Sequence, residues 1–381
     1  MNNTVVSMNI ALCAFLLLPV IVTAGLAGVP WVTDRHEVFG VTVPAAAHVN
    51  TRIRGFKVAF SGITVALGVC AILVSLAVWQ LCGVDAAFWT VSIAAVAIAI
   101  CGFVLQQMFR RKVLSIKVDQ GWEASSARRA ALIGERDNPD PMSLKWELLQ
   151  VVCLAVTIAV GLLGYDRMPE RVPIHADIAG NVNGWAEKSP MVIWYAVLAQ
   201  VVLAAVMVAS HAAIIYAKHP IDRDHPAATG YAYGVFSRVW SIYVLVIGLL
   251  AAGGLGLGVQ LVTIGVLDIN LIGIIGMFIA VAALVGALMI GVYYGQNGAR
   301  VYAGVRHSDG GDISDDNAMP YDDDLHWIGG IIYINRDDPA IMIPKRFGVG
   351  WTVNLARPSV IIGTIVLLAI AIGLPVAAIL M

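Results

Sequence analysis

The sequence predicts an all-α polytopic membrane protein with about eight transmembrane helices and a small cytoplasmic β-hairpin module. Of its 381 residues, 59% are hydrophobic and only 13% are charged, and the mean hydropathy is +0.81. Long apolar runs recur along the chain, and about 20 helical residues are enough to cross the roughly 30 Å hydrocarbon core of a bilayer. The basic residues are concentrated in alternate loops, which is typical of a chain that crosses the membrane repeatedly.

Eight apolar spans justify the helix count. No Lys or Arg precedes the apolar core of the first span, so we expect a retained helix and not a cleaved signal peptide. The apolar pattern of the sixth, from Phe236 to Leu267, is longer than one crossing requires, and either tilt or a break around Gly253 to Gly258 would absorb the excess. The predicted spans are 8–30, 57–82, 86–109, 146–165, 191–217, 238–264, 269–294 and 358–380.

The distribution of basic residues predicts the orientation. Of the 24 Lys and Arg residues, 21 lie in the loops 31–57, 110–145, 218–238 and 295–357. The other three, Arg167, Arg171 and Lys188, lie in the loop 165–190. Because cytoplasmic loops carry the excess of basic residues, we expect both termini and loop 165–190 on the extracytoplasmic side of the membrane, which is the cytoplasmic membrane if the cell is a prokaryote.

These spans and loops divide the chain into five regions. They are an N-terminal three-helix region with a cytoplasmic loop (1–145), a helix–loop–helix domain with its extracytoplasmic loop at 165–190 (146–217), a glycine-rich helix pair (218–294), an acidic linker with a cytoplasmic β-rich module (295–357), and a final transmembrane helix (358–381).

The composition excludes several classes of function. A net charge of −1 without a basic face argues against nucleic-acid binding. The five cysteines lie in or beside apolar runs without a Cys-x-x-Cys pair, so we interpret them as small buried hydrophobes and not as a disulfide or metal framework. We predict neither a cofactor nor a metal, and the only certain partner is the lipid bilayer.

The outer loop 165–190 concentrates the candidate site residues. His175, Asp177 and Glu187 are potential metal ligands, but a His-x-Asp pair without further His or Cys falls short of a zinc site. A structural alternative is a compact turn whose prolines fix its entry, whose Gly180 and Gly184 permit positive φ, and whose Trp185 anchors it at the membrane interface. The candidate ligand- or partner-binding residues are Pro169, Pro173, His175, Asp177, Gly180, Trp185 and Lys188.

The spans themselves contain few polar residues, among them His211, Gln200 and Gln260. Since coupled transporters usually keep ionisable groups in the membrane, this argues against transport, and we interpret His211 as an interhelical hydrogen-bond donor and not a proton relay. Gly254 and Gly258 have the small-xxx-small spacing of close helix packing, with an unwound substrate site as the alternative.

The inner loops differ in composition and in predicted secondary structure. Residues 121–135 have the spacing of an Ala- and Arg-rich helix, either a solvated connection or one that binds lipid or a partner. Seven Asp between His307 and Asp324 predict a solvated flexible linker without the spacing of a calcium loop. After it, 327–335, 340–344 and 350–355 read as short strands with a turn at 337–339.

Two motifs resemble known families. Met168-Pro169-x-x-Val172-Pro173-x-His175, then Gly180 and Trp185-x-x-Lys188, resembles the extracytoplasmic motif of a bacterial domain of unknown function in SdpI-type toxin-immunity membrane proteins. The resemblance covers about 146–210 and implies a loop that joins two helices. Ala176 replaces a common aromatic residue, and Asn183-Gly184 also departs from the pattern.

The second motif resembles an uncharacterised module at the C-terminus of such multi-span proteins, and it covers about 322–358. The resemblance implies no activity. Its residues are Trp327, Gly330, Tyr333, Asn335, Asp338 and Pro339, followed by Lys345, Arg346, Gly348, Gly350, Thr352 and Asn354.

Three classes of function remain. The leading hypothesis is a non-enzymatic membrane protein that senses, or confers resistance to, an extracellular peptide or envelope stress, with a cytoplasmic regulator protein as candidate partner. One alternative is a channel or transporter for a small solute. The other is a membrane-embedded enzyme with acid–base chemistry from Asp166, Glu170, His175 or Asp177, although no nucleophile completes that set. A homo-oligomer is compatible with each.

Overall fold

The computed structural model describes residues 12–13, 15–124, 138–176, 182–219, 226–308, 319, 321–366 and 368–369. Its helices are α1 (Leu17–Val32), α2 (Thr51–Cys82), α3 (Val84–Asp119), α4 (Leu148–Leu163), α5 (Pro190–Ile215), α6 (Pro226–Gly248), α7 (Leu255–Thr263), α8 (Ile269–Tyr294), α9 (Ala299–Ser308) and α10 (358–366). Its strands are β1 (Glu37–Val38), β2 (Val41–Thr42), β3 (Arg171–Ala176), β4 (Val182–Glu187), β5 (Trp327–Ile328), β6 (Ile332–Tyr333), β7 (Met342–Pro344) and β8 (Trp351–Val353).

The predicted all-α membrane fold is confirmed. Six helices of the described chain are long and apolar enough to cross a membrane, counting α6 and α7 as one continuous helix, and α1 is a shorter apolar helix. The eighth predicted span begins as α10, and its residues from 370 onward lie outside the described residues. Helices α1, α2 and α3 pack together as one group, and α4 to α8 form a second group.

Local sequence signals set the helix ends. The Asn50 side chain caps α2 by accepting from the backbone N–H groups of Arg52 and Ile53. Gly83, with φ of 88°, turns the chain tightly from α2 into α3. The Asp268 side chain accepts from the N–H of Asn270 at the start of α8, 2.7 Å away. Helix α3 continues past the predicted membrane edge at residue 109, so its basic residues Arg110 to Lys117 are helical.

The expected irregularity in the sixth span is a π-helical segment, Leu249–Gly254, between α6 and α7. The two predicted packing glycines differ. A Cβ on Gly258 would lie 2.7 Å from Ile272 of α8, whereas one on Gly254 would meet only the carbonyl of Leu249 in its own segment. The prediction of close helix packing is therefore confirmed for Gly258, whereas Gly254 lies in the π-helical segment.

The four basic loops meet on one face of the helix bundle. The backbone N–H of Thr42 donates to Asp324 over 3.0 Å, which joins the first loop to the last. Lys117 lies 2.7 Å from Asp324, and Lys218 forms an ion pair with Asp338. Loops separated by pairs of helices thus share a face, as the predicted alternation requires, and that face is called the inner face below.

Loop 31–57 forms the β1–β2 hairpin. Its apolar residues are buried because they pack on the inner ends of α2 and α3 and on Phe347 of the C-terminal module. The Phe39 ring stacks on Phe347 with a centroid distance of 6.0 Å. Phe39 takes a left-handed φ of 48°, and Gly40 follows with φ of 76°, so the turn is tight.

The C-terminal module confirms the two later predicted strands, as β7 and β8, which pair antiparallel. The interpretation of 327–335 as one strand was wrong. It is a second hairpin, β5–β6, because Gly329 and Gly330 adopt φ of 62° and 71° and reverse the chain. The backbone of Gly330 packs against that of Gly40, where neither position has room for a Cβ.

Candidate functional site

The predicted outer loop is an antiparallel hairpin at the face opposite the four basic loops. Strands β3 and β4 pair Arg171 with Glu187 and Pro173 with Trp185, and the register shifts on both sides of His175. Two predicted site residues, Asp177 and Gly180, lie outside the described residues. The loop was predicted to be a simple compact turn, whereas the structure shows a ladder of two six-residue strands.

The base of this hairpin is fixed to the helix bundle. Met168 and Val172 are buried against Val192 and Ile193 at the start of α5. The N–H of Lys188 donates to the carbonyl of Glu170 over 3.0 Å, which closes the ladder where β4 leads into α5. Burying such side chains stabilises the base by about 1.5–3 kcal/mol for each one. The hairpin is thus a rigid extension of α5.

The hairpin also contacts the turn between α7 and α8. A Cβ on Gly265, which has a left-handed φ of 74°, would lie 3.5 Å from the Pro169 ring. Pro169 is half-buried there. The hairpin base therefore lies on two further helices besides α4 and α5.

The outward side chains of the hairpin contact one another. The Arg171 guanidinium lies 5.7 Å from the centre of the half-exposed Trp185 ring, which is a cation–π distance. His175 donates through Nδ1 to the side-chain oxygen of Asn183. Lys188 lies 5.3 Å from the Tyr165 ring, on the hairpin flank. These groups form a polar and aromatic surface of side chains in mutual contact.

The structure gives Gly184 a different role from the predicted one. It does not have a positive φ, but a Cβ on it would lie 2.7 Å from the Cβ of His175. The residue thus allows the two strands to approach at the position where the register shifts. Within the described residues, no group of three or more His, Cys, Asp or Glu side chains is arranged to hold a metal ion.

The inner motif residues form a connected structural network around Asn354, which is fully buried. Its Nδ2 donates to the carbonyls of Asn335, Asp338 and Ala340 at 2.7, 3.1 and 3.3 Å. Its Oδ1 accepts from the N–H groups of Asn335 and Ala356, each at 3.1 Å. One amide thereby joins the turn at 335–340 to the chain that follows β8, so this motif residue is explained by folding.

Asp338 links this network to α5. Its carboxylate accepts from the Tyr333 hydroxyl at 3.0 Å and forms the ion pair with Lys218, three residues past the end of α5. Although burial alone would raise it, the hydrogen bonds from Lys218, the Ala340 N–H and Tyr333 hold the pKa of Asp338 below its usual value. Next to it, Pro339 is exposed and closes the predicted turn.

Arg346 is the centre of a buried ionic cluster. It forms ion pairs with Asp323 and Asp324, and its Nε lies 3.4 Å from Glu37 of β1. Its guanidinium also lies 5.0 Å from the centre of the Trp327 ring. The cluster fixes the first inner loop to the C-terminal module.

Two titratable groups beside this cluster are strongly shifted. Burial raises the pKa of Glu37 to about 8, in spite of the neighbouring Arg346. Burial, with the charge of Lys57, lowers the pKa of His48 to about 4. Both groups are therefore neutral near pH 7, which removes two charges from a crowded interior.

Aspartates of the predicted acidic linker contribute to the same cluster. Lys117 of α3 lies 2.7 Å from both Asp322 and Asp324. The interpretation as a solvated linker is therefore wrong for 322–324, whose charges are paired with Lys117 and Arg346. Residues 309–318 lie outside the described residues, as does most of the predicted helix at 121–135.

Two glycines of the motif are explained by backbone geometry. Gly348 and Gly350 have φ of 99° and 105°, where a side chain would be strained. The Gln296 side chain, just after α8, accepts from the Gly350 N–H at 2.7 Å and donates to its carbonyl at 2.8 Å. The module is thus attached to α8 as well as to α5.

The sequence reasoning missed one buried polar pair. Glu147 lies immediately before α4, inside the apolar 144–163 segment, and its Oε1 lies 2.7 Å from His211 Nδ1. His211 Nε2 lies 2.8 Å from the Met142 carbonyl. His211 thus joins α5 to α4, as predicted, but through a carboxyl group. The polar residues singled out in the predicted spans, His211, Gln200 and Gln260, did not include Glu147 or Gln150.

Two segments of the chain match models of known families. Residues 152–201 match a domain of unknown function (DUF1648), and residues 336–361 match a family of unknown function (DUF5808). The first match contains most of α4, the hairpin and the first half of α5, and the second contains Asn354 and its hydrogen-bond partners other than Asn335. No curated protein and no solved structure matches the chain. The chain is therefore a multi-pass helical membrane protein that carries two domains of unknown function.

Proposed function

We propose that this protein is a non-enzymatic sensor or resistance protein of the bacterial cytoplasmic membrane. In this proposal the β3–β4 hairpin receives an extracellular peptide or an envelope stress, as the resemblance to SdpI-type proteins implies. The C-terminal module, 322–357, transmits the response to a cytoplasmic regulator protein.

The observation that carries the proposal is that α5 is attached to both elements. Strand β4 ends at Glu187, and α5 begins at Pro190. At the other end the N–H of Lys218 donates to the Met342 carbonyl over 3.0 Å, beside the Lys218–Asp338 ion pair. A helix of 26 residues is about 39 Å long at 1.5 Å per residue, which is enough to span a bilayer. A shift of the hairpin base would thus move the module.

Helix α8 gives a second attachment. Its start adjoins the Gly265 turn that supports Pro169. Near its end, a Cβ on Gly291 would lie 3.3 Å from Val349 of the module, and Gln296 then binds Gly350. Two helices therefore connect the same two elements, which favours transmission by a rigid-body shift over a change in one side chain.

The orientation is supported by the positive-inside rule. The three basic residues outside the inner-face loops all lie at the hairpin, and the other 21 lie in loops that meet at the opposite face. We infer that the inner face is cytoplasmic and that the hairpin and both ends of the chain are extracytoplasmic.

An enzyme is the weaker alternative. Asp166, Glu170 and His175 are all exposed, and His175 is bound to an amide and not to a carboxylate. Asp177 lies outside the described residues, and the three described members of this set are exposed without a partner base or nucleophile, which does not favour acid–base catalysis.

The test uses cells that lack the endogenous gene and express full-length variants. The joint substitution His175→Ala and Trp185→Ala removes most of the outward surface, so survival under a panel of membrane-active peptides should fall to that of cells without the protein. The amount of protein in the membrane fraction should stay unchanged, since neither residue belongs to the buried base.

The matched control is Trp89→Ala. Trp89 is 71% exposed and lies in the first turns of α3, away from the hairpin. It should leave survival unchanged. Equal survival of wild-type and hairpin-variant cells under every peptide would contradict the proposal.

A further inference from the structure

Three buried glutamines lie inside the bundle formed by α4, α5 and the α6–α7 helix. Gln150, Gln200 and Gln260 belong to α4, α5 and α7, and they are 4%, 2% and 0% exposed. Burying three amides in a membrane-spanning bundle is costly unless each donor and acceptor finds a partner.

Each glutamine amide lies in the space left by a glycine on a neighbouring helix. A Cβ on Gly248 would lie 2.9 Å from the Gln150 nitrogen, and one on Gly256 would lie 2.6 Å from the Gln200 oxygen. The Gln260 nitrogen occupies the equivalent space at Gly161. The glycines thus leave room for the three amides between closely packed helices, and the row of these positions is called the path below.

The three amides are ordered along the bundle axis. The positions can be compared along the α6–α7 helix. Gln150 of α4 lies at the level of Gly248, and Gln200 of α5 lies at the level of Gly256. Gln260 follows four residues after Gly256, further toward the outer face. At about 1.5 Å per residue, these levels span about 18 Å of the roughly 30 Å core. The π-helical segment Leu249–Gly254, a feature frequent at functional sites, lies between the first two levels.

Most of the amide atoms have no hydrogen-bond partner within the described part of the chain. This holds for the nitrogen and oxygen of both Gln150 and Gln200 and for the oxygen of Gln260, each with almost no accessible surface. An amide offers two donors and an acceptor, so the partner it lacks both donates and accepts.

The inner end of this path is the Glu147–His211 pair. The Met142 carbonyl can only accept, so His211 Nε2 carries a hydrogen, and another hydrogen lies between Nδ1 and Glu147. Glu147 Oε2 has no partner among the described residues and lies one helical turn below Gln150. The path therefore ends at a group that can bind one more donor.

We propose that Gln260, Gln200 and Gln150 hold a chain of water molecules that leads from the hairpin side of the bundle to the Glu147–His211 pair. Water is the ligand because it is uncharged and both donates and accepts, as the unpaired amides require. Among the described residues, no charged side chain is buried at the glutamine levels to offset the desolvation of an ion, so a neutral ligand fits better there. This path does not depend on the proposed sensing function.

Heavy water is the probe that tests the proposal. The full chain in lipid nanodiscs is exposed to D₂O, and amide exchange is followed by mass spectrometry in 249–263 and in the lipid-facing helix α2. Water along the path should make the amides of 249–263 exchange about tenfold faster than those in the middle of α2.

The joint substitution Gln200→Met and Gln260→Met keeps side-chain length but removes the amides that hold the water. It should slow exchange in 249–263 by about tenfold, to the level of α2. Gln106→Met is the control, because the Gln106 amide is buried but already donates to the Phe39 carbonyl over 2.9 Å. It should leave exchange in 249–263 unchanged.

Two results would overturn the proposal. Exchange in 249–263 as slow as in α2 would show that water does not reach the path. Fast exchange that the Met variant leaves unchanged would assign it to local opening of the π segment.

Discussion

The outer hairpin and the inner module are both small β elements, yet they are held in opposite ways. The hairpin is fixed at its base by Met168 and Val172, and its motif residues His175 and Trp185 are exposed. In the inner module, Asn354 and Arg346 are buried and bind several segments. A motif residue can thus serve folding or recognition, and burial with its hydrogen-bond partners distinguishes the two. The difference directs the search for a ligand to the hairpin.

The largest expected effect follows from breaking the ionic cluster. Arg346→Met leaves Asp323 and Asp324 without the cation of their ion pairs, and removing one partner of a buried ion pair costs about 3–5 kcal/mol. We expect the module to detach from the β1–β2 hairpin, which limited proteolysis within 319–357 would detect. Arg346→Lys, which keeps the charge but loses the fork geometry, should be intermediate.

A comparable effect is expected at Asn354. Asn354→Ala leaves three carbonyls and two N–H groups of the module without their side-chain partner, at about 1–3 kcal/mol for buried groups left unsatisfied. The measurement is the thermal unfolding midpoint in detergent. Asn335→Ala, at a half-buried position, is the control and should lower the midpoint less; equal losses would contradict the central role of Asn354.

The pKa of Glu37 predicts a pH dependence of stability. In the unfolded chain this carboxyl ionises near its ordinary pKa of 4.5, whereas burial keeps it protonated in the fold up to about pH 8. The unfolded state therefore binds fewer protons between these values, and stability should fall as pH rises from about 4.5 to about 8.

Glu37→Gln imitates the protonated group and should flatten this part of the profile. The free energy of unfolding at several pH values, for wild type and variant, checks the prediction. Parallel profiles would show that Glu37 is ionised in the folded protein.

The smallest effect on stability is expected at the outer surface. Trp185→Ala removes a half-exposed ring and its cation–π contact with Arg171, which is worth about 0.5–1 kcal/mol at an exposed site. The unfolding midpoint should barely change. A loss as large as that of Asn354→Ala would mean that the hairpin motif, like the inner one, serves folding.

The sequence predicted those features that depend on neighbouring residues. Apolar periodicity gave the spans, basic residues gave the common face of four loops, and turn residues gave β7 and β8. Proline and glycine spacing indicated an ordered outer loop at Gly164 to Pro190, although not its two strands. These features follow from local composition, because a bilayer demands long apolar helices whatever the tertiary contacts.

The features that sequence reasoning missed depend on contacts between distant residues. Thr42 and Asp324 are 282 positions apart, so nothing near either one indicates their hydrogen bond. The same holds for Arg346 with Glu37 and for Gln260 in the space beside Gly161. The available signals were weak: polar residues inside apolar spans, and hydrophobic residues within loop 31–57.

The central claim is that the outer hairpin acts on the inner module through α5. The most direct test is a double-mutant cycle in the peptide survival assay, with Trp185→Ala at the hairpin and Lys218→Gln at the Asp338 ion pair. If both residues belong to one coupled unit, each variant lowers survival and the double variant is no worse than the more severe single one. Independent, additive losses, or unchanged survival with Lys218→Gln, would contradict the claim.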